Sequence, residues 1–154
     1  MKMHGKQWGD RYLHLAKEIS TWSKDPSTKV GAVVIGDNGE VLTQGFNGFP
    51  RGIQDSSPRL KDRERKYKLV VHAEMNAIYN AGLNGVSLKG STIYVYGCPI
   101  CNECAKGIIQ VGIQKVVAMR PPGVDLDRWD ESIKDAKAMF KEAEVMYLID
   151  EEKE

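Results

Sequence analysis

The chain is 154 residues long, which is enough for a hydrophobic core, and we expect a single domain over residues 1–154. Its formal charge of +1 gives no overall electrostatic reason to expect nucleic-acid binding, although a local basic patch could still hold a small anion. No run approaches the ~18 apolar residues that span a membrane, and no apolar signal-peptide core follows Met1. We therefore expect a cytoplasmic protein with no membrane partner.

The N-terminal part of the chain predicts one helix followed by a hairpin. Over residues 7–23 the apolar side chains recur at helical spacing, which predicts an amphipathic helix that ends before Pro26. Its expected core face consists of Trp8, Tyr12, Leu15, Ile19 and Trp22. The apolar run 30–35 predicts a buried strand, the sequence at 37–39 predicts a hairpin turn, and residues 40–46 form the return strand.

Residues 47–69 form a long segment without a clear period. The segment contains glycines and prolines, followed by a mostly basic run over residues 59–68. A segment of this length in a compact domain is usually functional or partly helical. A solvated surface helix explains the basic run equally well, so the sequence leaves both interpretations open.

The rest of the chain alternates helices with strands. The predicted helices cover residues 72–81, 101–111 and 128–142, with Gly82 and Gly112 closing the first two. The predicted strands cover residues 92–96, 115–119 and 145–149, and the acidic tail 150–154 is expected to be frayed. The order α-β-β-α-β-α-β-α-β predicts an α/β fold, a three-layer α-β-α sandwich around a mixed five-stranded sheet.

Two short motifs contain residue types that bind metals. His72 opens the predicted helix 72–81, and Cys101 and Cys104 share one face of the first turn of the helix 101–111. The unpaired N–H groups and the positive dipole end of a helix N-terminus favour the thiolate, which is the form that binds metals. One imidazole and two thiolates leave the fourth position of a tetrahedral Zn²⁺ open, and an open zinc site is a catalytic site.

Glu74 lies two residues beyond His72, and its carboxylate would act as base or acid on a water at the open position. In a regular helix the two side chains point about 200° apart. They converge only if His72 stands in extended backbone at the helix start. Taken alone, Glu74 also suits an ordinary acidic residue in the first turn of a helix.

Cys98 offers a competing arrangement. All three cysteines lie at positions 98–104, and this clustering favours metal binding over a disulfide framework. His72 with all three cysteines would form a closed, structural Cys₃His site. Because Cys98 precedes Pro99 and the helix start, its side chain is poorly aimed at a metal held by the first turn, and the open site is preferred. Two buried structural cysteines without a metal remain a further alternative.

Four sequence blocks resemble the deoxycytidylate (dCMP) deaminase family, which has the cytidine-deaminase-like fold. They are residues 21–32, 45–52, 72–78 and 101–110. The pairing of H-x-E with C-x-x-C is typical of zinc nucleobase deaminases in general, whereas the first two blocks separate this family from cytidine and tRNA-adenosine deaminases. One position departs from the family: Ile100 stands where proline usually precedes the first zinc cysteine, and Pro99 lies one residue earlier. Proline there shapes the helix start and is not a ligand.

The resemblance implies zinc-dependent hydrolytic deamination of dCMP to dUMP and ammonia. It implies that Zn²⁺ is bound by His72, Cys101 and Cys104, and that Glu74 carries the proton. A deaminase of another target, such as dCTP, cytidine or guanine, remains an alternative, as does a non-catalytic Cys₃His module.

The resemblance also implies how the rest of the nucleotide is held. Asn47 would bind the deoxyribose hydroxyl, and the backbone of Ala73 would contact the base. The phosphate requires cationic or N–H donors, and Lys24, Lys29 and Arg51 flank the first two blocks, although each is otherwise an ordinary surface charge. The resemblance also implies a hexamer, so we expect a homo-oligomer. We expect its ligand to be a small nucleotide, and we expect no nucleic-acid partner.

Overall fold

The computed structural model describes residues 4–124 and 130–153, and over these residues the chain forms six helices and five strands. The helices are α1 (Lys6–Ser20), α2 (Ser57–Lys61), α3 (Arg63–Leu69), α4 (Ala73–Asn84), α5 (Asn102–Gln110) and α6 (Asp130–Glu142). The strands are β1 (Gly31–Ile35), β2 (Val41–Phe46), β3 (Thr92–Tyr96), β4 (Lys115–Arg120) and β5 (Met146–Glu151). The segment 47–69 is thus partly helical, since it contains α2 and α3.

The five strands form one mixed sheet in the order β2-β1-β3-β4-β5. Strand β1 is antiparallel to both β2 and β3, whereas β3, β4 and β5 run parallel to one another. Parallel neighbours need crossover connections, which α5 and α6 supply. All side chains of β1 and β3 are buried because helices cover both faces of these central strands. The predicted α-β-α sandwich is confirmed.

Two apolar clusters fill the space between the sheet and the helices. The cluster beneath α1 contains Tyr12, Leu13, Ala16, Ile19, Val33, Ile35, Tyr94, Tyr96 and Val117. The cluster beneath α4, α5 and α6 includes Ala77, Ile108 and Phe140 together with Val34, Val95 and Val116. The helices that begin with the two metal-binding motifs therefore lie on the same face of the sheet.

Two glycines let α4 approach its neighbours closely. A Cβ atom on Gly45 of β2 would lie 2.4 Å from the nitrogen of Ala77 and 2.6 Å from the oxygen of Ala73, closer than real Cβ contacts allow. A Cβ atom on Gly107 of α5 would lie 2.6 Å from the Sδ atom of Met75. Glycine at these positions seats α4 directly on the sheet and against α5.

Helix α1 differs from its prediction in length and in its buried face. It ends at Ser20 rather than Ser23, and its buried residues are Tyr12, Leu13, Ala16, Ile19 and Ser20. Trp8, Leu15 and Trp22 were expected to face the core and are exposed instead. The guanidinium of Arg11 lies 4.4 Å from the Trp8 ring centroid, so the indole packs against a surface cation. The prediction assumed that the large apolar side chains form the buried face. The buried face instead includes small residues, Ala16 and Ser20, which let α1 lie close to β1.

The predicted end of α4 at Gly82 is wrong. The helix continues through Gly82 to Asn84, and Gly85 ends it with a φ of 69°. Gly82 has open space around it, so its missing side chain has no packing role. The left-handed conformation at Gly85 is the one that favours glycine after a helix.

The expected fraying of the acidic tail is also wrong within the described residues. Strand β5 extends to Glu151, which pairs in register with Arg120 of β4. Glu152 accepts hydrogen bonds from Lys17 and from the Tyr96 hydroxyl. The predicted start of the last helix, Arg128, lies outside the described residues. No helix within the described ranges is long and apolar enough to cross a membrane.

Candidate metal centre and active-site cavity

Three side chains of the metal-ligand type meet where α4 and α5 begin. The Nδ1 atom of His72 lies 3.4 Å from the Sγ atoms of both Cys101 and Cys104. All three ligand atoms lie within 4.8 Å of one another. The two motifs therefore converge in space, as the sequence predicts.

The local backbone explains why these side chains point at one another. His72 is the N-cap of α4 in extended backbone, with φ −66° and ψ 154°, and Cys101 is the N-cap of α5 with φ −81° and ψ 164°. The backbone N–H of Cys104 donates to the Sγ atom of Cys101 at 3.4 Å, which is a capping bond to a sulfur. The extended backbone at His72 is the condition under which its side chain and that of Glu74 can converge.

The three groups share protons in a way that favours a thiolate. The hydrogen bond between the two thiols lowers the pKa of Cys101 to about 4 and raises the pKa of Cys104 above its usual range. The hydrogen bond to Cys101 raises the pKa of His72 to about 9, although burial opposes this effect. Metals bind the thiolate and the neutral imidazole, so metal binding at such a site would release protons.

The donor set fits Zn²⁺. Tetrahedral zinc, with Zn–S bonds of about 2.3 Å and Zn–N bonds of about 2.0 Å, separates a nitrogen ligand from a sulfur ligand by about 3.5 Å. The distances of 3.4 Å from His72 to the two cysteines match this separation. Two sulfurs and an imidazole nitrogen are ligands that zinc prefers, and three protein ligands leave one position open.

Cys98 lies outside this convergent group. Among the described residues, the set whose ligand atoms meet consists of His72, Cys101 and Cys104. Cys98 and Pro99 instead line the adjoining cavity. The described residues thus bring together the three side chains of the open site and not all four of the closed Cys₃His arrangement.

Glu74 is a buried carboxyl beside the metal-ligand group. It lies in the first turn of α4 and is 4% exposed. Burial raises the pKa of Glu74 above its usual range, and the positive charge of His72 opposes that rise. A carboxyl whose pKa is raised in this way is suited to accept a proton and return it.

A cavity of about 1050 Å³ opens onto these residues. Its floor includes His72, Ala73, Glu74 and Cys101. One wall comes from the loop between α1 and β1, a second from α2 and α3, and a third from the start of α6. This volume is at the upper end of the range for small-molecule sites and is large enough for a nucleotide.

Asn47 and Ala73, the two predicted contacts to sugar and base, both line the cavity. The Asn47 side chain accepts a hydrogen bond from the N–H of Val30 and donates one to the oxygen of Thr28, both at 2.8 Å. The amide thus holds the loop between α1 and β1. Its NH₂ group has a second N–H, which could donate a hydrogen bond to a ligand. Ala73 is fully buried at the cavity floor.

The three basic residues predicted to bind phosphate do not line this cavity. Lys24 forms an exposed ion pair with Asp55 at 3.2 Å. Lys29 donates to the backbone oxygen of Ser23, and the exposed Arg51 donates to an asparagine side chain of α4. All three are thus engaged with groups outside the cavity lining.

Three other basic side chains line the cavity: Lys61, Arg63 and Lys66. Lys66 is paired with Asp25 at 3.2 Å, and the two side chains are only 8% and 9% exposed. The basic run 59–68 was visible in the sequence, but only the fold places α2 and α3 over the metal-ligand group. Without that placement, the run could not be distinguished from a solvated surface helix.

Comparison with known proteins agrees with this geometry. Residues 6–120 match the family model described as the cytidine and deoxycytidylate deaminase zinc-binding region. The chain is 42% identical over 139 residues to an Aliivibrio fischeri protein named an uncharacterized deaminase in the luxG 3′ region, and the alignment covers 90% of each. It is 37% identical over 146 residues to the deoxycytidylate deaminase of Mus musculus, covering 92% of this chain and 78% of the mouse protein.

A solved structure shares the whole architecture. The crystal structure of dCMP deaminase from the cyanophage S-TIM5, in complex with dCMP and dUMP, matches with a TM-score of 0.76 and 25% identity. The match covers 96% of this chain and 99% of the phage chain. On the family match, the relatives and this likeness together, the chain belongs to the zinc-binding cytidine and deoxycytidylate deaminase family.

Proposed function

We propose that the chain catalyses the zinc-dependent hydrolytic deamination of dCMP to dUMP and ammonia. The observation that carries the proposal is the convergence of His72, Cys101 and Cys104 beside the buried Glu74, at the floor of a nucleotide-sized cavity. Family membership supports the reaction, and the phage dCMP deaminase solved with dCMP and dUMP supports the substrate.

In this proposal His72, Cys101 and Cys104 hold the zinc ion, which when bound supplies Lewis-acid activation of a water molecule. Glu74 accepts the proton of that water and passes it to ring N3 as the C4–O bond forms. The same carboxylate would then take the proton of the new C4 hydroxyl and give it to the amine, so that C4=O forms as the C4–N bond breaks and ammonia leaves. Its raised pKa suits both steps, and acid–base catalysis of this kind typically contributes about 10²–10⁴-fold in rate.

The rest of the nucleotide extends from this floor along the cavity walls. The backbone of Ala73 contacts the base, and the second N–H of Asn47 is directed to the deoxyribose hydroxyl. Lys61 and Arg63 of the α2–α3 wall are the preferred phosphate ligands because they line the cavity.

The other candidate phosphate ligands are Lys24, Lys29 and Arg51, which we rank below Lys61 and Arg63. Each would have to leave a present partner before its side chain could reach a bound nucleotide.

Ultraviolet monitoring of deamination across cytosine, cytidine, deoxycytidine, dCMP and dCTP tests the substrate. Two charge-assisted hydrogen bonds to the phosphate, each worth about 1.5–3 kcal/mol, should raise kcat/KM for dCMP at least ~10²-fold above deoxycytidine. Charge reversal at Lys61 or Arg63 should erase that preference, whereas Lys6→Glu, on an exposed side chain of α1, should not. Equal kcat/KM for dCMP and deoxycytidine would indicate a nucleoside deaminase.

Glu74→Gln separates the catalyst from the ligands. The variant should fold, retain zinc by elemental analysis, and turn over dCMP at least ~10²-fold more slowly. Near-normal turnover would make Glu74 an ordinary residue of the first helical turn.

A homo-oligomer in the cytoplasm completes the proposal. Tyr79 and Leu83 on the outward side of α4 are 57% and 70% exposed, which suits a surface that meets another copy. A reducing compartment keeps the cysteine ligands available to the metal. Light scattering after size exclusion measures the assembly, and a monomer at micromolar concentration would contradict it.

A further inference from the structure

Two hydroxyl groups from the C-terminal part of the chain hold the backbone on either side of Cys101. The N–H of Ile100 donates to the hydroxyl of Tyr147 at 3.0 Å, and the N–H of Asn102 donates to the Oγ atom of Ser132 at 3.0 Å. Tyr147 belongs to β5 and Ser132 to α6. Both lie beyond residue 120, where the match to the family model ends.

The bond to Tyr147 meets a need that arises from a departure in the sequence. Ile100 stands where the family usually has proline, and proline has no N–H to satisfy. Ile100 is fully buried, so its N–H requires a partner within the protein. Tyr147 supplies that partner from 47 residues further along the chain.

The bond to Ser132 satisfies a second donor. Asn102 is the first residue of α5, and its N–H has no acceptor within the helix. The Ser132 hydroxyl in turn donates to the Oδ1 atom of Asn102 at 2.9 Å. The two residues therefore bind each other reciprocally, and this fixes the orientation of the first turn of α5.

Packing holds both hydroxyls in place. The Tyr147 ring lies edge-to-face on Phe140, with the ring centroids 5.0 Å apart and the planes at 77°. Tyr147 also pairs in register with Val116 of β4, and Ile133, the residue after Ser132 in α6, is buried. Both hydroxyls thus belong to a regular strand and a regular helix and not to a loop.

We propose that Tyr147 and Ser132 are positioning residues for the metal centre. By fixing the peptide groups on both sides of Cys101, they keep its sulfur aimed at the point shared with His72 and Cys104. Without these two hydroxyls, the backbone around Cys101 can rotate so that an N–H faces water and the sulfur points away from the other two ligands. Part of the free energy of metal binding is then used to order this backbone, and the metal affinity falls. The inference rests on the proposed function in one respect, the assignment of these three side chains as zinc ligands.

The first experiment measures zinc affinity. Partners behind metal ligands typically contribute about 10–100-fold to metal affinity, so Tyr147→Phe should bind Zn²⁺ at least ~10-fold more weakly in competition with a chromophoric chelator. The thiolate-to-metal bands of the Co²⁺-substituted variant should also shift. The control is Tyr12→Phe, which removes a hydroxyl that donates to the oxygen of Gly39 at 2.9 Å beneath α1. A merely structural role predicts that both variants lose stability and that neither loses zinc affinity.

A double-mutant cycle isolates the bond itself. Ile100→Pro removes the N–H and restores the usual family residue, and any packing lost with the isoleucine side chain appears in both arms of the cycle. Tyr147→Phe should therefore weaken zinc binding at least ~10-fold in the wild-type background and less than ~3-fold in the Ile100→Pro background.

Ser132 provides a second pair of variants, which carries the test if Tyr147→Phe does not fold. Ser132→Ala should weaken zinc binding, and Ser132→Thr, which keeps the hydroxyl, should restore it. Zinc affinities and Co²⁺ spectra identical to wild type in Tyr147→Phe and Ser132→Ala, or equal effects of Tyr147→Phe in both backgrounds, overturn the proposal. These readouts do not require turnover. If the variants show the predicted zinc affinities but the wild-type protein does not deaminate dCMP, the proposed function is rejected and the positioning role is supported.

Discussion

Gly45 of β2 sets how closely α4 lies against the sheet, and replacing it by alanine tests whether that distance matters for the site. The new Cβ atom would lie 2.4 Å from the nitrogen of Ala77, whereas ordinary contacts begin at 3.4 Å. The helix backbone would have to retreat by the difference, 1.0 Å. Both clashing atoms, the second being the oxygen of Ala73, belong to the backbone, so no side-chain rotation relieves the contact.

Overpacking of this kind typically destabilises by about 1–3 kcal/mol, and alanine offsets only about 0.4–1 kcal/mol of it by restricting the unfolded chain. We therefore expect Gly45→Ala to lower the free energy of unfolding by about 1–2 kcal/mol. Because Ala73 lies between His72 and Glu74, a displacement of about 1 Å also moves the Glu74 carboxyl, the proposed proton carrier. Misplacement on that scale lowers kcat by about 10²-fold.

Urea denaturation measures the stability of Gly45→Ala, and ultraviolet monitoring with saturating dCMP measures its kcat. The matched control is Gly82→Ala on the same helix, where a Cβ atom meets nothing within 4 Å. That variant should gain about 0.5–1 kcal/mol from helix propensity and keep its kcat. Gly45→Ala with the stability and kcat of wild type would refute the view that close seating of α4 sets the geometry of the site.

Three further changes test other parts of the molecule. Cys98→Ser should keep zinc and activity, whereas Cys101→Ser should lose both, and zinc loss from folded Cys98→Ser would overturn the three-ligand assignment. Lys66→Met leaves Asp25 as a buried unpaired carboxylate and should lower the free energy of unfolding by about 3–5 kcal/mol; adding Asp25→Asn should restore most of it, and no recovery would contradict the pairing. Hydrogen bonds from a lysine of α1 and a tyrosine of β3 lower the pKa of Glu152, so its stabilisation is present above the unfolded pKa of about 4.3 and is lost as the pH falls through the folded pKa. Glu152→Gln should thus be less stable than wild type at pH 7, with a difference that shrinks below about pH 4 in urea titrations; a pH-independent difference would count against this.

The metal-ligand group was predictable from the sequence because it depends on local geometry. An N-cap residue and a residue three positions later share one face of a helix start, and this holds for Cys101 and Cys104 wherever α5 lies in the fold. Predicting that His72 lies beside the two cysteines needed only one further assumption, that the N-termini of α4 and α5 lie close together. The mixed sheet with helices on both faces also followed from local patterns, since a predicted hairpin is antiparallel and buried runs separated by helices favour a parallel arrangement.

Features that depend on contacts distant in sequence were not predictable. Gly82 and Gly85 are both plausible ends for α4, and only the backbone conformation distinguishes them. The cavity wall formed by α2 and α3 carries charges without an apolar period, so no local pattern places it over the site. The hydroxyls of Ser132 and Tyr147 carry no motif, because their partners lie 30 and 47 residues away.

Ser132 and Tyr147 lie well beyond Cys101 in the sequence, so the ribosome makes the proposed metal ligands before it makes these two residues. His72, Cys101 and Cys104 are synthesised before Tyr147, which follows Cys104 by 43 residues. At about 5–20 residues per second, the nascent chain carries all three ligands for about 2–9 s before its last anchor emerges. During that interval β4 also lacks its neighbour β5. If Tyr147 and Ser132 position Cys101 as proposed, zinc that binds in this interval meets a loop without its supports, and the centre is complete only after the last strand has been made.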